Sequence, residues 1–176
     1  MKNISYFYTK LKYKIFGKNK EIISEYFRKK GMTIGRNCNI CTNILTSESY
    51  LINIGNNVTI AGGVSFVTHD NCVSKMIPDC TDLFGNIVIG DNCFIGANAI
   101  ILYGVSLTNN ITVAAGSVVT KSFNEENIII GGNPAKKISD YSNFIVKNKD
   151  RVFNLDGINH RDLRKVIEKS EKLIQR

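Results

Sequence analysis

Residues 89–122, IGDNCFIGANAIILYGVSLTNNITVAAGSVVTKS, place an aliphatic residue at every sixth position: Ile89, Ile95, Ile101, Leu107, Val113 and Val119. Three places after each stand Asn92, Asn98, Gly104, Asn110, Gly116 and Ser122. Five of these six are Asn or Gly, the types that best tolerate a left-handed backbone at a turn. The residue after the aliphatic is often small, as at Gly90, Gly96 and Ala114. A period of six with an inward aliphatic and a turn residue predicts a β-helix, in which each hexad is a short strand plus a corner and three hexads close a triangular coil. The aliphatics then stack from coil to coil into one core. A sandwich would alternate with period two and vary its turn spacing.

The same rule holds upstream. Ile34, Ile40, Ile54, Ile60 and Phe66 are followed three places later by Asn37, Asn43, Asn57, Gly63 and His69. The phase breaks twice. Ile40 and Ile54 are 14 residues apart, and Phe66 and Ile89 are 23 apart. The second interval holds an out-of-phase stretch, DNCVSKMIPDCTDLFGN, read as a loop that leaves the coil over residues 70–86. The expected architecture is an all-β solenoid over residues 32–138, with a helical segment at 1–31 and a helical tail at 139–176.

In residues 4–16, Ile4, Phe7, Leu11 and Ile15 fall at helical spacing, with Lys10, Lys12 and Lys14 largely on other faces. Residues 20–30 repeat the style with Ile22, Ile23, Tyr26 and Phe27, and Gly31 ends that helix. Both helices are expected to pack by these apolar stripes on the domain; proximity of the first to a membrane surface is the alternative its lysines leave open. In the tail, Leu163, Val166, Ile167 and Leu173 predict a helix over 161–175, capped by Asn159 or Asp162, that packs on or crosses between coil surfaces.

The net charge of +8 is unevenly spread: residues 1–30 carry nine Lys/Arg against two acids, 31–135 three against seven, and 136–176 eleven against six. Such flanks attract nucleic acid, anionic membranes or phosphorylated small molecules, or are simply solvated helix faces. No nucleic-acid module is recognisable and Trp is absent, so nucleic acid is not an expected partner. No apolar run reaches the ~20 residues of a membrane span. The start of the chain is too lysine-interrupted for a signal peptide, and five cysteines fit free thiols, so a cytoplasmic protein is expected.

His69 is the only histidine in the first 159 positions. It falls at the corner of the Phe66 hexad, directly before the loop. Histidine tolerates left-handed corners, so a plain turn role is one reading. The other is a general base, since neutral imidazole has a pKa suited to taking a proton near pH 7.

The repeat, the histidine ahead of a loop, AAGSVVTK (residues 114–121) and GNPAK (residues 132–136) together resemble the hexapeptide-repeat acyltransferases. That family includes galactoside, maltose, serine and streptogramin acetyltransferases and polysaccharide O-acetyltransferases, and the resemblance covers roughly residues 32–138. It implies a left-handed parallel β-helix, a homotrimer with sites between subunits, acetyl-coenzyme A as co-substrate, no required metal, and His69 as general base. Asp70 is the first candidate to orient His69, with Asp79, Asp82 or a backbone carbonyl as alternatives. Backbone N–H groups of the coil are the expected oxyanion donors.

The resemblance further implies that Ala97 and Ala115 line the pantetheine arm, that Thr120 and Lys121 occupy the "TK" position near the coenzyme, and that Asn133 belongs to the same site. Lys136 replaces a frequent arginine and would meet a phosphate as a point charge. Lys121 and Lys136 are among few cations in or bordering the acidic middle; ordinary surface lysines are the alternative. Tyr103 departs from the family's usual proline. Lys75, Asp79, Asp82 and Phe84 of the loop are the candidate substrate contacts, with Met76 and Pro78 beside them.

The expected reaction is O-acetylation of a sugar hydroxyl, in surface-polysaccharide synthesis, because the Thr68-His69-Asp70 loop style resembles polysaccharide-modifying members. Antibiotic acetylation, amino-sugar N-acetylation and a non-catalytic trimeric scaffold are the competing readings. The zinc of carbon-dioxide-hydrating solenoids needs three histidines, and this chain has two. Cys38-x-x-Cys41 is a lone pair, read as small core or surface residues.

Overall fold

The computed structural model describes residues 2–159 and 161–174. Strands β1 (Thr33–Ile34) and β2 (Asn39–Ile40) begin a parallel coil, and β3 (Ile52–Ile54), β4 (Thr59–Ile60) and β5 (Ser65–Val67) form its next turn. A hairpin of β6 (His69–Asp70) and β7 (Leu83–Phe84) interrupts it. The coil resumes with β8 (Ile87–Ile89), β9 (Phe94–Ile95) and β10 (Ile100–Leu102), then β11 (Ser106–Leu107), β12 (Ile111–Val113) and β13 (Val118–Val119). It ends in β14 (Ile128–Gly132) and β15 (Ala135–Asp140).

Successive strands visit three sheets in rotation. The first face is ordered β1-β3-β8-β11, the second β2-β4-β9-β12-β14-β15, and the third β5-β10-β13. Each turn of the coil lies on the last in parallel register, with Val88 opposite Ser106, Phe94 opposite Thr112 and Ile100 opposite Val118. That register is three hexads per turn. It places Ile34, Ile54, Ile89 and Leu107 in one column, Ile40, Ile60, Ile95 and Val113 in a second, and Phe66, Ile101 and Val119 in a third, all buried.

Eight of the eleven expected corners follow the same rule, while Asn43, His69 and Ser122 do not enter the left-handed region. Asn37, Asn57, Asn92, Asn98 and Asn110 have φ between 56° and 58°, and Gly63, Gly104 and Gly116 between 71° and 77°. Coil stacking leaves corner N–H groups to be satisfied, and side chains of the next turn do it. The N–H groups of Arg36, Asn56 and Asp91 donate to side-chain oxygens of Asn56, Asp91 and Asn109 at 2.9, 2.7 and 2.8 Å. Beside them Asn37 donates to Asn57, and Asn57 to Asn92. Cys38 is buried and Cys41 exposed, and all five cysteines are free thiols.

Helix α2 (Glu21–Arg28) closes the first end of the coil: Ile23 and Phe27 are buried, and Arg28 donates to the carbonyls of Ile34 and Gly35. Helix α1 (Lys2–Ile15) packs on α2. Here the expected packing face is corrected. Phe7, Leu11 and Ile15 are exposed, the side chain of Ile4 lies outside the described ones, and among the described side chains of the helix the buried one is Tyr6, whose hydroxyl donates to the Thr42 carbonyl at 2.9 Å. Burial pushes the Tyr6 phenol up to about 12.

Residues from Ser139 on form a separate compact unit. The predicted helix over 161–175 shrinks to α4 (Leu163–Glu168), and its last predicted residue lies outside the described ones. Asp162 sits at its N-cap without a side-chain hydrogen bond, and Asn159 accepts from the Arg161 N–H instead. A helix not foreseen, α3 (Tyr141–Asn148), starts where the Asp140 carboxylate accepts from the Asn143 N–H.

The corner geometry yields a test at Asn57, whose φ is 56°. Asn57→Gly keeps that backbone and loses only the side-chain bonds. Asn57→Val must hold a β-branched residue there and is expected to cost about 1–2 kcal/mol more, read as the lower urea midpoint of the Val variant.

Candidate active site

The excursion at 70–86 starts within the hairpin. His69 opens strand β6 rather than turning a left-handed corner, and its side chain is 44% exposed. Its Nδ1 lies 2.9 Å from Oε2 of Glu48. Glu48 belongs to the irregular segment between β2 and β3, which occupies the first turn's third-face position and ends in a short 3-10 turn at Ser49–Leu51.

Only 14% of the Glu48 side chain is exposed. Its Oε2 also accepts from the Thr68 hydroxyl at 2.8 Å, and the Thr46 hydroxyl is 3.2 Å away. The two hydroxyls are 2.7 Å apart, and the Glu48 N–H donates to Thr46 Oγ1 at 3.2 Å. One assignment of protons satisfies the three contacts that close a ring and leaves the Thr46 hydroxyl only near the carboxylate. Glu48 N–H donates to Thr46, Thr46 O–H to Thr68, and Thr68 O–H back to the Glu48 carboxylate. Thr68 is 1% exposed, so this ring is anchored in the core. The Thr68 hydrogen bond, followed by the hydrogen bond and charge of His69, holds the Glu48 carboxyl below the usual carboxylate range against the opposing effect of burial. An ionised carboxylate only accepts, so in the neutral imidazole the proton facing it sits on Nδ1 and the lone pair is on Nε2.

Asp70 does not take the place expected of it. Its Oδ1 accepts from the Cys72 N–H at 2.8 Å, and that backbone hydrogen bond lowers its pKa. The reason is strand geometry: successive residues of β6 point to opposite faces, so Asp70 cannot share the His69 side. Of the four loop residues, Phe84 is brought to the histidine, directly across the hairpin with ring centroids 5.7 Å apart. Lys75, Asp79 and Asp82 are exposed along the excursion, Asp79 with φ of 61°.

The residues expected around the coenzyme fall into two groups. Ala97 and Ala115 lie on adjacent turns at one corner, where the Gly116 N–H donates to the Ala97 carbonyl at 2.8 Å. The turns approach so closely there that a Cβ on Gly96 would come within 2.6 Å of the Ala115 nitrogen. Gly132, next to Asn133, continues the corner by donating to the buried Ser117 hydroxyl at 3.2 Å. Thr120 and Lys121 lie at the other end of β13, both exposed, with Lys121 Nζ 5.7 Å from the Phe123 ring centre. Lys136 is exposed in β15. Tyr103 is half-buried just before the Gly104 corner. Because β5, β10 and β13 share one face in register, His69 follows the end of that face where Thr120 and Lys121 stand, and the Ala97–Ala115 corner precedes the other end.

Among the described residues no three His, Cys, Asp or Glu side chains gather as a metal site. His160 lies outside the described residues. A cleft of 390 Å³ lined by Thr9, Lys12, Glu21, Glu25, Tyr26 and Lys29 holds none of the candidate residues.

Glu48 and Thr46 escape a search for motifs next to the histidine. Two signals mark Glu48: it sits in the 14-residue interval that breaks the hexad phase, and it is the only carboxylate between Glu25 and Asp70.

Comparison with known proteins agrees with the fold. Residues 86–121 match the family model described as the hexapeptide repeat of succinyl-transferase. Protein CapG of Staphylococcus aureus is 46% identical over 146 residues, covering 78% of this chain and 84% of that protein. The galactoside O-acetyltransferase of Escherichia coli K12 is 32% identical over 108 residues, 61% of this chain and 53% of the relative, so the chain spans about half of that protein's length. A hexapeptide-repeat acetyltransferase from Vibrio cholerae O1 biovar eltor, solved in complex with acetyl-coenzyme A, aligns with TM-score 0.55 and 28% identity over 64% of this chain and 61% of its own. The chain belongs to the hexapeptide-repeat acyltransferases, and it is an enzyme of that class.

The hydroxyl ring sets a titration test. Glu48 has a folded-state pKa below its unfolded one. Its contribution to stability is therefore full above the unfolded value and is lost as pH falls through the folded value. Thr68→Val removes the largest cause, so the carboxyl should titrate at higher pH. Carboxylate infrared titration of wild type and variant checks this; an unmoved titration means the hydroxyl does not hold Glu48.

Proposed function

We propose that the protein transfers an acetyl group from acetyl-coenzyme A to a sugar hydroxyl, with His69 as general base. The observation that carries this is the 2.9 Å pairing of His69 Nδ1 with Glu48, which turns the Nε2 lone pair outward. The acceptor oxygen attacks the thioester carbonyl carbon as its proton passes to Nε2. A C–O bond forms, the C–S bond breaks, and the sulfur of the departing coenzyme takes the proton back from His69. Glu48 is a positioning residue that holds the ring and stabilises the imidazolium. Backbone N–H groups of the coil serve the oxyanion.

Acetyl-coenzyme A as donor is supported by the Vibrio complex, and a sugar as acceptor by the E. coli galactoside enzyme. A role in surface-polysaccharide synthesis rests on the resemblance of Thr68-His69-Asp70 to polysaccharide-modifying members. Ala97, Ala115 and Asn133 border the pantetheine arm in this reading, where small side chains leave the backbone open to it. Thr120, Lys121 and Lys136 supply polar and cationic contacts to the coenzyme. Phe84, with Lys75, Asp79 and Asp82 on the same excursion, faces the acceptor.

The coil is left-handed and the assembly a cyclic homotrimer. Support for the trimer is the separation of His69 and the Ala97–Ala115 corner at opposite ends of the third face. A neighbouring subunit brings the two ends together across a heterologous interface that closes. The free thiols support a cytoplasmic location. Among the described residues no helix is long and apolar enough to cross a membrane.

The test is release of free thiol from acetyl-coenzyme A with and without a panel of sugars. Wild type should turn over with at least one sugar, and His69→Ala should lose about a hundredfold or more in kcat. Glu48→Gln should lower kcat with little change in the acceptor KM, whereas Asp70→Asn should stay near wild type. Failure of wild type to release thiol with any acceptor would sink the proposal.

A further inference from the structure

The outward face of α1 plays no part in the acyl-transfer site. With 100° per residue, the residues of α1 that face the domain are Tyr6, Thr9, Lys10 and Tyr13, buried or half-buried, with Lys10 Nζ folded over the rings of Tyr6 and Tyr13. Phe7, Leu11 and Ile15 follow each other at four-residue spacing on the opposite side, with Tyr8 beside them. They are 67%, 44%, 68% and 60% exposed, and Phe16 just beyond is exposed too. Lys14 borders this stripe on one side and Lys12 on the other. Residues 1–20 contain six lysines and no acid. A surface helix of a globular protein turns its apolar side to the core; α1 packs by its tyrosine side and keeps its more apolar side outside, and contiguous exposed apolar surface marks a contact.

We propose that this face of α1 lies on an anionic lipid surface. Phe7, Leu11 and Ile15 enter the boundary between headgroups and acyl chains. Lys12 and Lys14 run their stems along the apolar edge and carry their ammonium groups to the phosphates, and Lys18 and Lys20 add long-range attraction. Charge complementarity selects this occupant. A second copy docking by the same face would set lysine against lysine, with no acid in the segment to relieve the repulsion.

The experiment is co-sedimentation of the full chain with vesicles of phosphatidylcholine alone and of phosphatidylcholine with phosphatidylglycerol, at low and high salt. Binding is expected only to the anionic vesicles and should weaken with salt. Lys12→Gln with Lys14→Gln should reduce the partition about thirtyfold, and Phe7→Ser with Ile15→Ser should abolish it. These side chains are exposed, so circular dichroism and the light-scattering mass should match wild type. Equal binding to neutral vesicles, binding that survives both variants, or no binding at all overturns the proposal. A change of mass in the Phe7→Ser, Ile15→Ser variant also overturns it, because a second copy then covers the face.

Discussion

Everything in the coil depends on a corner every six residues. The backbone must enter the left-handed region there, which costs about 1–2 kcal/mol for an ordinary L-residue and much less for Asn or Gly. Asn adds something Gly cannot. Its carboxamide reaches the next turn of the coil, so the Asn37–Asn57–Asn92 column both accepts the strained backbone and binds neighbouring turns. Beside it, Asn56, Asp91 and Asn109 satisfy N–H groups that a parallel stack would otherwise leave exposed at each corner. Regular corners keep Ile95 over Ile60 and Ile101 over Phe66, and hence these columns buried.

Such regularity leaves no place for a reactive cluster inside the coil, and the candidate site lies where regularity fails. The first phase break replaces a third-face strand with the irregular segment that carries Thr46 and Glu48. The second ejects residues 70–86 immediately after the third-face strand β5. The two breaks therefore fall on the same face in consecutive turns, and parallel register lays one over the other. A carboxylate and a histidine 21 residues apart meet at 2.9 Å for that reason. The hydroxyls of half-buried Thr46 and buried Thr68 join them because they stand at the same two breaks.

The hexad columns, eight of the eleven corner residues and the departure of the chain after His69 were legible in the sequence, because each depends on spacing alone. The partner of His69 was not. A search along the chain favours Asp70, while the pairing is made across turns of the coil, and β6 sends Asp70 to the far side of the strand. The candidate coenzyme residues were recognised by motif, but spacing could not say that Ala97 and Ala115 share a corner while Thr120 and Lys121 stand at the other end of the face. The tail misled for a different reason: the spacing of Leu163, Val166 and Ile167 is helical, but Asp162 offers no side-chain cap, and the better cap is Asp140.

Helix α1 shows why apolar periodicity does not identify the packed face. Counting apolar residues selects Phe7, Leu11 and Ile15, yet the chain buries Tyr6, the more polar choice. Tyrosine wins because a carbonyl, that of Thr42, waits for its hydroxyl, and because its ring joins Tyr26 and Phe27 at centroid distances of 5.6 and 5.8 Å. A satisfied hydroxyl removes the penalty of burying it, and the aromatic cluster adds contact that an aliphatic side chain would not make. The inward face is thus fully served by tyrosines, and a second, more apolar stripe bordered by lysines remains on the outside. Retaining large apolar side chains in water is unfavourable by roughly 1.5–3 kcal/mol for each that could be buried. A helix that already has a packed face gains nothing from such a stripe within its own chain, so the arrangement makes physical sense as a surface built to be covered.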